Sequence, residues 1–222
     1  MRTEAAETPL RIGTRGSNLA TWQAEHVAAL VRELPGAPPV DLVKIKTSGD
    51  LIQDTPLSKV AGKGFFTKEI ERALLDGSVD IAVHSLKDLE TRLPDGLILP
   101  AVLEREDPRD VLIASPGTSV ETLPAGTIVG TSSLRRKALL AHWRPDLEIR
   151  DLRGNVPTRI QRFLDGDYDA LILAAAGVKR LAMENHVAQH LPPGRMYPAV
   201  SQGAVAVQTR PVPVRCMHTY AP

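Results

Sequence analysis

Arginines gather where helices are about to start. Three stretches do this: Gly13-Thr14-Arg15-Gly16-Ser17, Thr131-Ser132-Ser133-Leu134-Arg135-Arg136 and Leu152-Arg153-Gly154-Asn155-Val156-Pro157-Thr158-Arg159. In each, a Ser or Asn able to cap a helix stands beside one or two arginines at the front of an apolar-periodic run. A helix N-terminus carries about half a positive charge and unpaired N–H groups, so a cation there forgoes roughly 0.3–1 kcal/mol. A nearby anion removes that penalty. Arginine's planar fork pairs with carboxylate or phosphate, and helix N-termini attract anions on their own account. The three junctions together therefore point to a polyanionic ligand, although caps with solvated arginines explain any one of them alone. Arg180, in Gly177-Val178-Lys179-Arg180, follows an apolar strand; it either joins this set or is a cation near a helix end.

One carboxylate stands among these cations. His84-Ser85-Leu86-Lys87-Asp88-Leu89 closes an apolar run, at the strand end where a site would lie. Asp88 there can stabilise a developing positive charge or move a proton, and the plainer alternative is a turn aspartate paired with Lys87. His84 falls on the apolar run and reads as a core histidine. The loop Lys59-Val60-Ala61-Gly62-Lys63-Gly64-Phe65 lacks the G-x-x-x-x-G-K-[ST] spacing, which excludes a P-loop nucleotide triphosphatase.

The elements that must position these residues alternate along the chain. Strands are expected at 10–14, 40–47, 79–85 and 97–103, with helices at 17–34 and 65–75. A charged, proline-containing stretch at 104–110 reads as a hinge. Beyond it come strands at 111–114, 127–130, 147–151 and 170–174 and helices at 134–143 and 156–164. The apolar return at 196–208 crosses back. The expectation is two α/β lobes, each with a mostly parallel sheet. The first spans 1–103 plus about 200–210, the second 104–199, and 211–222 form an irregular tail. Joined by a double crossover hinge, such lobes form a periplasmic-binding-protein type II architecture with a ligand cleft between them.

Composition narrows the partners. The 222 residues carry 27 Lys+Arg against 26 Asp+Glu, a net charge of +1, so no overall field recruits nucleic acid or an anionic membrane. The first nine residues have acids and no apolar core, which argues against a secretory signal, and no run reaches the ~18 apolar residues of a membrane span. With one cysteine, Cys216, neither an intrachain disulfide nor a cysteine metal cluster can form. The expectation is a cytoplasmic monomer that takes a small-molecule substrate, with no metal, nucleic acid or membrane partner.

Five segments carry a family resemblance: Arg11-Ile12-Gly13-Thr14-Arg15-Gly16-Ser17, Lys63-Gly64-Phe65-Phe66-Thr67-Lys68-Glu69, Val83-His84-Ser85-Leu86-Lys87-Asp88, Gly130-Thr131-Ser132-Ser133-Leu134-Arg135-Arg136 and Leu152-Arg153-Gly154-Asn155. Over about residues 9–208 the chain resembles the porphobilinogen deaminase (hydroxymethylbilane synthase) family. These transferases of tetrapyrrole and haem synthesis join four porphobilinogen units head to tail and release ammonia. The resemblance implies that Asp88 is catalytic and holds the azafulvenium cation left when ammonia departs. It further implies that Lys87, Ser85, Ser133, Arg135, Arg136 and Arg159 hold a dipyrromethane cofactor. Arg15, Ser17, Phe66, Arg153, Arg180, Lys59 and Gln202 would bind substrate. Members carry a third domain whose cysteine anchors the cofactor. Cys216 lacks the family's Gly-Gly-Cys surroundings and reads as a free thiol, so the covalent attachment point stays unassigned. Ser201 stands where the family's Gly-Gln-Gly-Ala has glycine. A truncated remnant with impaired turnover, and a cytosolic two-lobed module binding polycarboxylates, stay open at this stage.

Overall fold

Apolar residues at period two in strands and 3.6 in helices sort the chain into two five-stranded sheets with helices on their faces. The computed structural model describes residues 8–51 and 64–211. The first sheet contains β1 (Leu10–Arg15), β2 (Val40–Ile45), β3 (Ile81–Ser85), β4 (Ile98–Val102) and β10 (Val205–Thr209), ordered β2-β1-β3-β10-β4. The second contains β5 (Asp110–Ile113), β6 (Ile128–Gly130), β7 (Glu148–Arg150), β8 (Ala170–Ala174) and β9 (Val187–His190), ordered β7-β6-β8-β5-β9. Helices α1 (Asn18–Arg32), α2 (Ser48–Leu51) and α3 (Lys68–Leu75) belong to the first lobe, and α4 (Leu134–Trp143), α5 (Val156–Leu164) and α6 (Ala175–Arg180) to the second. This is a periplasmic-binding-protein type II architecture of two α/β lobes.

The cores follow from alternation. In the second lobe Leu171 and Leu173 of β8 pack on one face with Ile160 of α5 and Val178 of α6. Ala170 and Ile172 point the other way, toward Leu140 of α4. A strand covered on both faces needs an unbroken apolar run, and Ala-Leu-Ile-Leu-Ala supplies it. In the first lobe Ile12, Val83, Val205 and Val207 meet Ala24, Val27 and Ala28 of α1, while Ala82 and Val79 meet Ile70 and Leu74 of α3. Truncating one of these buried leucines or isoleucines to alanine costs about 2–5 kcal/mol.

The sheets are mixed: in each, four strands run in one direction and one runs against them. β1 pairs parallel with β2 and β3, and β6 with β7 and β8. The strands next to the crossovers run the other way: β10 is antiparallel to β3 and β4, and β5 to β8 and β9. A chain that crosses to the other lobe enters its sheet from the cleft side, so its strand points away from the cleft. β9, α6 and the one-turn α2 were absent from the expected elements. Val187–His190 is a short, partly exposed edge whose four residues carry little strand signal.

The two crossovers lie against each other. Glu106 N–H donates to the Gly203 carbonyl at 3.2 Å, and Arg105 Nε donates to the Gln202 carbonyl at 2.9 Å. Gly203 has φ +93°, and a Cβ there would sit 2.3 Å from the Glu106 carbonyl oxygen, so this approach requires glycine.

Candidate functional site

The parallel strands of both sheets aim their carboxyl ends into one interlobe cleft of about 700 Å³. Arg15, Ser17, Phe66, Ser85, Lys87 and Asp88 line it from the first lobe, Arg136, Arg153, Arg159 and Arg180 from the second, and Gln202 from the returning crossover. Lys59 and Cys216 lie outside the described residues. Ser133 and Arg135 are not among the lining residues.

At the first junction Ser17 caps α1, its Oγ accepting the Ala20 N–H at 3.3 Å. Arg15 ends β1 and is held on two sides. Its guanidinium pairs with Asp50 (Nη2 to Oδ1 2.5 Å, Nε to Oδ2 3.4 Å) and lies over the Phe66 ring at 4.0 Å from the centroid. A Cβ on Gly49 would fall 2.2 Å from that ring, which is why the chain passing beneath it is glycine. Burial pushes the Asp50 carboxyl up, but hydrogen bonds from Arg15 and Thr47 outweigh this and leave it below its ordinary value.

In the second lobe Ser133, not Ser132, caps α4, its Oγ 3.5 Å from the Arg136 nitrogen, and Asn155 caps α5 by accepting the Thr158 N–H at 2.9 Å. Ser132 instead bonds both backbone groups of Leu152. Arg135 and Arg136 project from the first turn of α4 onto Asp110, a fully buried carboxylate that opens β5. Arg136 reaches Oδ1 through Nε at 3.2 Å and Nη2 at 2.7 Å, and its Nη1 donates to the Ile172 carbonyl at 3.0 Å. Arg135 Nη2 is 2.7 Å from Oδ2. Burial pushes the Asp110 carboxyl up; Arg136, Gln202 and Arg135 together hold it below its ordinary range. The penalty of cations at this helix start is thus met from inside the protein.

Six of the cations expected at the site differ in their partners; Arg153 also lines the cleft, as do Lys44 of β2 and Lys46 just after it, which the sequence reading did not single out. Arg15, Arg135 and Arg136 have internal carboxylate partners. Lys87, Arg159 and Arg180 have no described carboxylate within ion-pair distance. Lys87 sits in the single 3₁₀ turn Leu86–Asp88 that follows β3, with Nζ donating to Gln202 Oε1 at 3.2 Å. Its surface stays open to the cleft, yet the surrounding walls displace enough water that burial, aided by Arg136 and Arg135 and opposed by Asp88 and Asp110, lowers its pKa to about 8. Arg159 donates through Nε to the Gly154 carbonyl at 2.7 Å; burial and the neighbouring Arg136 and Arg153 bring it down to about 10, against the pull of Asp88. Arg180 stands in the last turn of α6, donates to the Gly203 carbonyl at 2.6 Å, and lies 5.6 Å from the Trp22 ring centroid; burial lowers its pKa. It is both a cation at a helix end and part of the cleft wall.

Asp88 ends the turn that begins with Lys87's neighbour Leu86 and faces the same open volume. Ser85 shares a reciprocal hydrogen bond with the buried Gln23 amide (2.9 and 3.2 Å). His84 is buried, and that burial lowers its pKa to about 4. Asp50 and Asp110 were missing from the expected site. Asp110 did carry a signal: a carboxylate flush against a wholly buried Val-Leu-Ile strand has to be paired.

A concave wall of cations beside one carboxylate, between two α/β lobes joined by two crossovers, is a cleft whose chemistry suits a polyanion, with one group able to handle positive charge or protons. The chain belongs to the porphobilinogen deaminase family: the family model described as "Porphobilinogen deaminase, dipyromethane cofactor binding domain" matches residues 10–215. A porphobilinogen deaminase of Syntrophomonas wolfei subsp. wolfei is 55% identical over 201 residues, which is 90% of this chain and 66% of that relative. The chain thus spans just under two thirds of that relative's length. Solved structures share the fold at low identity. A nutrient-binding protein of Burkholderia cenocepacia, solved bound to methionine, is 14% identical with TM-score 0.54 over 90% of this chain and 84% of that one. A periplasmic substrate-binding protein of an ABC transporter from Coxiella burnetii is 17% identical with TM-score 0.52, covering 90% and 84%.

The described residues suit a dipyrromethane. Such a group bears several carboxylates and pyrrole N–H donors, and the cleft offers Lys87, Arg159 and Arg180 without internal counter-ions together with the Asp88 acceptor. Among the described residues no helix is long and apolar enough to cross a membrane.

Proposed function

We propose that this chain performs the chemistry of its family as a transferase, condensing porphobilinogen head to tail with release of ammonia to give a linear tetrapyrrole. The observation that carries this reading is that Lys87, Arg159 and Arg180 line the cleft with Asp88 and have no described carboxylate within ion-pair distance. Each porphobilinogen brings an acetate and a propionate, so a growing product needs cations not already neutralised. Lys87, Arg136, Arg159 and Ser85 would hold the dipyrromethane, which supplies a terminal pyrrole whose free α-carbon is the nucleophile. Arg15, Ser17, Phe66, Arg153 and Arg180 would bind the incoming unit, while Gln202, expected among them, is buried with its amide bonded within the protein.

Asp88 has two tasks. The C–N bond of the protonated aminomethyl group (–CH2–NH3+) breaks with its electron pair leaving on ammonia, and the remaining azafulvenium keeps the positive charge, which the Asp88 carboxylate stabilises while accepting hydrogen bonds from pyrrole N–H groups. The new C–C bond then forms, the electron pair of the α-carbon's C–H bond returns to the pyrrole ring, and Asp88 takes up the proton and releases it to solvent, where the ammonia is protonated.

Incubating purified protein with porphobilinogen tests this directly. The expected result is ammonia release with a mass increase in the intact chain or formation of a linear tetrapyrrole. Saturable binding of porphobilinogen without any ammonia would refute turnover and assign the cleft to polycarboxylate capture.

A further inference from the structure

One polar chain links both lobes through both crossovers. It begins at Lys87 in the first lobe, passes to Gln202 on the returning crossover and to Asp110 at the end of the outgoing one, and ends on Arg135 and Arg136 of α4. Gln202 is buried, and its amide is fully specified by its neighbours. Nε2 donates to the Pro108 carbonyl at 2.7 Å and to Asp110 Oδ1 at 2.9 Å, both of which can only accept. The amide oxygen is therefore left to face Lys87, whose ammonium can only donate. If the amide turned over, two N–H groups would meet an ammonium and an oxygen would meet a carboxylate.

We propose that Asp110 is a positioning residue that acts through Gln202: its carboxylate fixes the amide so that an acceptor faces Lys87 and keeps that ammonium in the cleft beside Asp88. This rests on the reading of the cleft as the reaction site. Arg135 and Arg136 make the arrangement one-sided, because they hold the Asp110 carboxylate ionised against its burial. The charged groups acting on Lys87 are Asp88 and Asp110, which favour its protonated form, and Arg136 and Arg135, which oppose it.

The test reads Lys87 itself and needs no turnover. Competitive acylation of the purified full chain across pH, followed by peptide mass spectrometry, gives the reactivity of each lysine, with exposed Lys179 as reference. Asp110→Asn removes the charge that orders the amide, and Gln202→Met removes the acceptor without changing any charge. Gln202→Met is expected to label Lys87 about fivefold faster at pH 7 than the parent, the change that accompanies a drop of about one pH unit from its midpoint near 8, and Asp110→Asn, which also removes a charge that acts on Lys87 directly, at least as fast. Lys179 should not change. Should Asp110→Asn fail to fold, Gln202→Met carries the test alone. Unchanged Lys87 labelling in a folded Gln202→Met protein overturns the proposal, whatever the parent does with porphobilinogen. Absence of ammonia release by the parent overturns only the functional reading, since the labelling compares proteins without ligand.

Discussion

Ser132 and Leu152 hold each other through two hydrogen bonds, Oγ donating to the Leu152 carbonyl at 2.8 Å and accepting the Leu152 N–H at 2.9 Å. One hydroxyl thereby ties the loop that starts α4 to the loop that starts α5 and fixes the backbone immediately before Arg153. Leu152 is fully buried, so Ser132→Ala leaves two backbone groups short of partners. The variant is expected to lose about 1–3 kcal/mol in urea denaturation. A loss below a few tenths would show that water replaces the hydroxyl.

Asp88→Asn keeps the size of the side chain and removes its charge and basicity. Ammonia release from porphobilinogen should fall by about 10²–10⁴-fold, the usual worth of a positioned acid or base, while equilibrium binding of porphobilinogen changes little. The comparison needs both measurements on one preparation. Undiminished ammonia release would remove Asp88 from the reaction.

His84 makes the fold sensitive to mild acid. Its folded pKa of about 4 lies below the ordinary 6.5, so the unfolded chain binds the extra proton first. The His84 contribution to stability is present above pH 6.5 and is lost as pH falls toward 4, by about 3 kcal/mol over that window. Asp80 and Asp110, held below the ordinary carboxylate range, withdraw their contributions only at lower pH. Denaturation midpoints measured from pH 7 to 4 should show this slope in the parent and a flatter one in His84→Gln.

Helix α6 ends in a turn where the Met183 N–H bonds the Val178 carbonyl at 3.0 Å and the Ala182 N–H bonds the Lys179 carbonyl at 2.9 Å. The residue at this left-handed position is alanine, with φ +53°. Ala182→Gly relieves the Cβ contact and is expected to stabilise the fold by about 0.5–1 kcal/mol despite glycine's greater freedom when unfolded. A lower thermal midpoint in the variant would contradict this.

Much of the site was legible because its signals are local. A capping serine or asparagine, an arginine within a turn of it and an apolar run behind it can be read within ten residues, and so can a carboxylate at the end of a buried strand. What escaped was pairing across distance. Asp50 meets Arg15 from 35 positions away, and Asp110 meets Arg136 from 26. Composition shows both carboxylates and cannot say which cations they neutralise, so all the arginines looked equally available to a ligand. The folded chain divides them. Ser201 illustrates the opposite case: a serine where the family has glycine was visible in the sequence, and the structure gives it φ +61°, a conformation that favours glycine.

The strand order of the first sheet also dictates a sequence of events during synthesis. Among the described residues β4 has a single strand partner, β10, and β3 and β4 are joined only by that later strand. More than a hundred residues must emerge after β4 before it can pair, and in that interval all five strands of the second sheet become available to each other. The lobe that begins the chain is therefore the last able to complete itself. Its open edge, exposed on β3 until β10 arrives, is the point at which a nascent chain is most vulnerable to pairing with the wrong partner.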